Sequence, residues 1–251
     1  MNKSFHQITP ELANQIRLVM ADVDGTLTPG GDSISSAVLE AISLLQEQGI
    51  IVGLVSGRTL PGLESLAFHL DISGPIIAEN GGVAKLKANG SLVDLGYSRQ
   101  PALKALEKLK VLFPDAIRER EDNKDRLVDI VIWSYGVAIE ELRGHLDDTQ
   151  LLDSGYILHL LPKGISKGRT LMRLLGEIGD GNLSPVEVMV FGDSLTDVSL
   201  FELFPHSVLI INPRLPVSQR ELIQEHARYV SKLPFDEGFT EVASHIINMR
   251  F

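Results

Sequence analysis

The sequence predicts an α/β fold: a doubly wound parallel sheet with a smaller α+β unit inserted into it. Apolar runs rich in β-branched residues, at 16–20, 50–55, 75–78, 186–191 and 208–211, alternate with segments of helical period, the rhythm of βα units whose strands are buried on both faces. Several of these runs end in polar or glycine-rich sequence, Asp22-Val23-Asp24-Gly25, Ser56-Gly57-Arg58, Glu79-Asn80-Gly81-Gly82 and Gly192-Asp193-Ser194. Open α/β sheets place their ligands at such carboxyl ends of strands. A third observation locates the insertion: between residues 84 and 162 the alternation gives way to a hairpin signal and short strands.

Each element has its own local reason. Thr9-Pro10 ahead of Glu11, Leu12 and Ile16 marks a short capped turn before the first strand. Residues 35–48 carry Val38, Ile42 and Leu45 on one helical face and stop at Gly49. After the strand at 50–55, Thr59 caps a helix that tolerates Pro61 in its first turn and turns Leu63, Leu66 and Leu70 inward. Within the insertion, Asn89-Gly90 between 83–87 and 92–95 is a strong hairpin signal. A helix follows Pro101, then a strand at 127–133, a helix at 137–146 and a strand at 156–161, with the charged stretch 118–126 expected as a solvated loop. The βα rhythm resumes with an amphipathic helix at 167–178 and continues through helices at 198–204, 216–227 and 239–247. The expected division is a core of 1–83 and 163–251 and an inserted unit of 84–162.

The chain of 251 residues has a formal net charge of -10 and no Lys/Arg cluster, which argues against a nucleic-acid binder. With no cysteine, thiolate nucleophiles, disulfides and Cys-ligated zinc are excluded. No apolar run approaches the ~18 residues of a membrane span and no apolar leader precedes the first strand, so a soluble, cytoplasmic protein is expected, as a monomer or homodimer.

Asp22 and Asp24 fall where the first core strand meets a loop that Gly25 allows to turn, with the Thr26 hydroxyl beside them. Two like charges ~4 Å apart repel by roughly 4 kcal/mol at an effective dielectric near 20, so a cation belongs there. A carboxylate nucleophile beside a second carboxyl that exchanges a proton divides a difficult displacement into two easier steps; a pair of acids closing a loop is the bland alternative. Downstream, Gly192-Asp193-Ser194-Leu195-Thr196-Asp197 again sets acids after a buried strand. Four carboxylates together call for a hard divalent cation, Mg²⁺ by default, although Ser194 and Asp197 also suit a helix start. Ser56 with Gly57 offers a hydroxyl and a close N–H to an anion, or a plain helix entry. Lys167 opens a helix against the helix dipole, which an anion it must meet would explain.

These four ordered features resemble the motifs of the haloacid dehalogenase (HAD) superfamily of phosphohydrolases: Asp22-Val23-Asp24-Gly25-Thr26-Leu27, Val55-Ser56-Gly57, Lys167, and Gly192-Asp193-Ser194-Leu195-Thr196-Asp197. The resemblance implies a Rossmann-like core with an α/β cap inserted between the second and third motifs. It implies that Asp22 is a nucleophile forming an aspartyl-phosphate and that Asp24 protonates the leaving alkoxide and then activates water. Ser56, Gly57 and Lys167 would hold the phosphoryl group. Asp22, Asp24 through its carbonyl, Asp193 and Asp197 would hold Mg²⁺. Glu79-Asn80-Gly81-Gly82 and the segment 155–167 are similar to a subgroup that includes archaeal-type phosphoglycolate phosphatases, sucrose-phosphate phosphatases and mannosyl-3-phosphoglycerate phosphatases. The substrate expected is therefore a small phosphorylated metabolite, phosphoglycolate first and a sugar phosphate second. A phosphomannomutase-like phosphotransferase and a catalytically silent phosphate-ligand sensor are the alternatives.

For specificity the candidates are polar residues of the insertion, Arg126, Asp129 and His159. His159 alternates with Leu158 and Leu160, so it points opposite to them, as a ligand contact or a satisfied structural residue. Arg126 suits a substrate carboxylate or a solvated strand end.

Overall fold

The computed structural model describes residues 3–31, 33–155, 157–179 and 181–250. The first part of the chain runs β1 (Lys3–Ser4), α1 (Pro10–Gln15), β2 (Leu18–Ala21), α2 (Ser36–Glu47), β3 (Ile51–Val55), α3 (Leu60–His69), β4 (Ile76–Ala78) and β5 (Val83–Lys85). A second group follows: α4 (Gln100–Leu112), β6 (Ile117–Glu119), β7 (Ile130–Ser134), α5 (Ile139–Arg143), β8 (Thr149–Asp153) and β9 (Leu158–Pro162). The last part comprises α6 (Lys167–Leu174), β10 (Val188–Gly192), α7 (Val198–Leu203), β11 (His206–Ile211), α8 (Val217–His226), β12 (Tyr229–Pro234) and α9 (Phe235–Asn248).

Eight strands form one sheet in the order β1-β12-β11-β10-β2-β3-β4-β5, parallel except for the β4–β5 pair. Side chains alternate across it. Val19, Ala21, Val52, Leu54 and Phe191 face a core shared with α2, α3 and α9, whereas Leu18, Met20, Val55, Val188 and Val190 face the core beneath α6, α7 and α8. Burial on both faces is why these strands read as continuous apolar runs. Ala21 lies opposite Leu54 on one side and Phe191 on the other, so the residues that follow leave the sheet side by side.

A second, antiparallel sheet has the order β6-β7-β9-β8. Ala102, Ala105, Leu106 and Leu109 of α4 cover Ile130, Ile132, Leu158 and Leu160 in a separate apolar cluster. Core sheet and capping unit thus each bury their own hydrophobic face.

Four features differ from expectation. Val83–Lys85 pairs with β4 and so belongs to the large sheet, past residue 83, while 92–95 contributes a single bridge between Lys85 and Leu92. The stretch 118–126 is no solvated loop: it contains part of β6 and a short 3₁₀ turn, and Asn123 and Arg126 are buried. The Asn123 carboxamide completes the edge of β7, donating to the Val131 carbonyl at 2.8 Å and accepting the Val131 N–H at 2.7 Å. The helix expected over 167–178 ends at Leu174 and tightens into a 3₁₀ turn over Leu175–Glu177. Strands β1, β6, β8 and β12 carry too few consecutive apolar residues to announce themselves. The expected strand at 156–161 is β9, and Tyr156 lies outside the described residues.

Candidate active site

Strand β2 ends at Ala21, and the Asp22 N–H keeps one ladder bond, to the Phe191 carbonyl at 2.9 Å. This fixes the Asp22 side chain at the carboxyl edge of the sheet, where it is 4% exposed. Lys167, the first residue of α6 behind its Ser166 cap, reaches the same point from the opposite sheet face. Its ammonium donates to Asp22 Oδ1 and Asp197 Oδ1, each at 2.7 Å. The other Asp197 oxygen accepts the N–H groups of Asp193 and Ser194 and the Ser194 hydroxyl, all at 3.1 Å. Asp193 Oδ2 accepts from Asn212 Nδ2 at 2.6 Å, and its Oδ1 accepts from the Thr26 hydroxyl at 3.4 Å. The helix-start reading of Ser194 and Asp197 holds, since Ser194 caps the turn and Asp197 completes its capping box, while Asp197 Oδ1 is taken by Lys167.

Electrostatics at this cluster are unbalanced. Asp22, Asp193 and Asp197 are buried with one oxygen each within 4.8 Å of the others, and among the described residues the cation that meets them is Lys167. Burial pushes the Asp22 carboxyl up to about 7, with Lys167 opposing and Asp197 reinforcing the shift. Burial likewise drives Asp193 well above the carboxylate range, helped by Asp22 and Asp197. For Lys167 burial works downward, but the Asp197 and Asp22 carboxylates override it and the ammonium is held more firmly than usual. Fully ionised, three carboxylates and one ammonium would leave two negative charges, the charge that one divalent cation offsets. All-oxygen donors suit a hard ion such as Mg²⁺, so these residues fit the metal expected from the sequence.

Asp24 points elsewhere. Its side chain, 43% exposed, takes a two-pronged contact from Arg58, with Nε to Oδ2 at 2.8 Å and Nη2 to Oδ1 at 2.7 Å. The same Nη2 donates to the Gly31 carbonyl at 2.7 Å. Asp24 therefore brings no carboxylate oxygen to the three-acid cluster. Directly after Asp24, Gly25 has φ 94° and a side chain there would begin 2.2 Å from Asp193 Oδ2, so neither the turn nor the space admits another residue. Ser56 sits just beyond β3, buried, with its hydroxyl accepting the Arg58 N–H at 3.2 Å.

The capping unit closes over this edge through the loop 79–82. Glu79, fully buried, accepts the N–H groups of Leu127, Val128 and Asp129 at 2.7–2.8 Å; burial raises its carboxyl despite those three donors. Arg126 is 3% exposed and is committed to protein, donating to the Gly57 carbonyl at 3.0 Å, Asp129 at 2.8 Å and Asp122 at 3.0 Å. It does not close its strand in water: Nη1 and Nη2 are paired within the protein, while Nε is buried without a partner among the described residues and the side chain lines the cleft. The Asp129 oxygen that Arg126 uses also binds His159 Nδ1 at 2.6 Å. Glu79 and Asn80 both have positive φ, 53° and 54°, and their N–H groups donate to the Arg58 and Ser56 carbonyls at 3.0 Å.

A cleft of about 540 Å³ joins these parts, lined by Asp22, Asp24, Ser56, Gly57, Arg58, Asn80, Arg126, His159 and Lys167, with Arg120 and Arg214 at its rim. Asp193 and Asp197 lie behind Asp22 rather than on its wall. A groove of about 670 Å³ at residues 73–74, 86–94 and 177–179 lies apart from every one of these groups. Sequence reasoning missed Asn212, although it follows β11 as Asp193 follows β10 and the same strand-end rule would have found it. It also gave no role to Glu79, whose partners are 48 to 50 residues away.

The model of the haloacid dehalogenase-like hydrolase family matches residues 19–123 and 113–241. A phosphoglycolate phosphatase of Methanospirillum hungatei is 32% identical over 90% of this chain and 95% of its own length, and one of Thermoplasma volcanium is 31% identical over 92% and 98%. A crystal structure from Thermoplasma acidophilum superposes with a TM-score of 0.78 at 26% identity, covering 92% of this chain and 98% of that one. The sucrose-phosphatase of Synechocystis, at 17% identity and a TM-score of 0.72 over 93% and 98% of the two chains, shares the fold. With its four strand-end motifs gathered at one sheet edge, the chain belongs to the haloacid dehalogenase-like hydrolases.

Proposed function

We propose that the protein is a Mg²⁺-dependent phosphomonoester hydrolase that acts through an aspartyl-phosphate on a small anionic metabolite, phosphoglycolate first. The observation that carries this reading is the buried Lys167 ammonium joined to Asp22 at the strand edge, with Asp193 and Asp197 behind and an open cleft in front. In the first step an Asp22 oxygen forms a bond to phosphorus as the ester P–O bond breaks, and Asp24 gives its proton to the departing alkoxide. In the second, Asp24 takes a proton from water as that water's oxygen attacks phosphorus, releasing inorganic phosphate and freeing Asp22. Ser56, the Gly57 N–H and Lys167 hold the phosphoryl oxygens.

Bound in the oxygen cluster of Asp22, Asp193 and Asp197, with the Asp24 carbonyl, Mg²⁺ supplies positive charge against an incoming phosphate dianion. Burial raises the Asp22 carboxyl, and a neutral carboxyl is a poor nucleophile, so positive charge beside it favours the ionised, nucleophilic form. Asp24 must also leave Arg58 to reach a leaving group, so the pair found here corresponds to a resting arrangement. The names of the relatives support phosphoglycolate over sugar phosphates. The test is phosphate release from a panel of phosphomonoesters with and without Mg²⁺, using Asp22→Asn as control. Loss of at least about 10³-fold in kcat is expected in that variant. Unchanged turnover would overturn the nucleophile, and conversion of mannose-6-phosphate without phosphate release would favour a mutase.

A further inference from the structure

The loop that ties core to cap carries one buried group that nothing among the described residues satisfies. Asn80 is 1% exposed and lines the cleft, and its Nδ2 is buried without an acceptor. Nδ2 and the carboxamide oxygen lie 3.0 and 3.2 Å from the point where a side chain on Gly57 would begin. The edge of the His159 ring, Cε1, lies 3.2 Å from that point. Three segments therefore converge there: the loop after β3, the loop after β4, and strand β9 of the cap. The His159 ring is held from behind by Asp129 through Nδ1, and its Nε2 makes no hydrogen bond among the described residues.

A left-handed asparagine by itself needs no ligand, because Asn tolerates that conformation better than other side chains. Here the neighbouring Glu79 is left-handed too, and the strain is maintained by its hydrogen bonds to both units. Paired strain of this kind gathers at ligand sites. Buried polar groups almost always have partners, and an amide N–H asks for an acceptor oxygen. The lining of the same cleft sets Arg58, Arg120, Arg126, Arg214 and Lys167 against Asp22, Asp24 and Asp122, a positive balance that favours an anionic acceptor. Gly57 follows Ser56 directly, so the seam lies next to the phosphoryl position and suits a short leaving group.

We propose that Asn80 selects the leaving group: its Nδ2 donates to a carboxylate oxygen of a short phosphorylated hydroxy acid lodged at the seam between Gly57 and the His159 ring. The inference rests on the phosphomonoesterase reading above. His159 forms the cap-side wall, and Asp129 is its positioning residue.

The test compares Asn80→Asp and Asn80→Gly with the parent protein on phosphoglycolate and on 2-hydroxyethyl phosphate, the same chain with the carboxylate replaced by a neutral CH₂OH. Both variants keep access to the left-handed backbone. The ratio of kcat/KM for the two substrates should fall by about 10- to 100-fold in either variant, the range for a lost hydrogen bond to a charged group, through KM more than kcat. A ratio unchanged in both would overturn the proposal and leave Asn80 a backbone residue. Calorimetric titration of phosphoglycolate into parent and Asn80→Gly gives a readout independent of turnover. If the parent hydrolyses neither ester, the phosphomonoesterase reading fails. Binding weakened by about 10-fold in the variant would still sustain Asn80 as a carboxylate donor, whereas equal or absent binding would sink it.

Discussion

At the residue scale the site is governed by an excess of buried negative charge. Lys167 is the contact that lets Asp22 and Asp197 share a buried position, so Lys167→Met should destabilise the metal-free protein by about 3–5 kcal/mol, the penalty for leaving a buried partner uncompensated. Urea unfolding of the two proteins in EDTA measures this, and kcat should fall by about 10²-fold or more. The raised Asp22 carboxyl gives a pH dependence of definite sign. Between the ordinary carboxylate range near 4 and about 7 the folded state binds more protons than the unfolded state, so its contribution to stability is full at the acid end and is lost as pH rises. Asp193 shifts in the same direction. The melting temperature of metal-free protein should therefore carry a component that declines from about pH 4 to about pH 7, and Asp22→Asn should flatten it.

At the scale of elements the distinctive device is the loop between β4 and β5, which belongs to the core sheet yet grips the cap. Its Glu79 carboxylate takes three backbone donors at the entry to β7. Arg126, reaching back to the Gly57 carbonyl, fastens the same seam from the cap side. Glu79→Ala should orphan three N–H groups and lower stability by about 1–3 kcal/mol or more. Amide exchange at Leu127, Val128 and Asp129 should accelerate ahead of exchange in β2 and β10, a pattern that a uniform loss of stability would not produce.

For the whole molecule, the eight-stranded sheet gathers acids from residues 22, 193 and 197 around one lysine, and a divalent ion that binds only this folded arrangement stabilises it by mass action. At a hundred times its dissociation constant Mg²⁺ should add about 2.7 kcal/mol, a rise of about 5–10 °C in Tm for a chain of this size. The gain should be larger at pH 7.5 than at pH 5, because the ion competes with protons for Asp22 and Asp193. Asp193→Asn should remove most of it. A melting temperature indifferent to Mg²⁺ in the parent protein would rule out a resident ion in this cluster.

The sequence by itself determined the order of strands and helices along the core and the chemistry placed at each strand end. Asp22, Ser56 and Asp193 were legible because a buried apolar run that stops at a polar residue reports both where a parallel strand ends and what stands there; Asp197 follows in the same segment, and Lys167 was legible as a cation opening a helix against its dipole. The edge strand β1, its neighbour β12 and the cap strands β6 and β8 were not legible, since short or half-exposed strands carry no continuous apolar run. Only the tertiary structure decided the partners: Asp24 with Arg58, Asn212 with Asp193, Glu79 with the N–H groups of 127–129, and Arg126 turned to protein. Those pairs join segments 19 to 69 residues apart; the first two meet because the sheet sets their strand ends near one another, the last two because of how the cap sits on the sheet. Local period and propensity describe one segment at a time, so they are silent about where a side chain from another segment arrives.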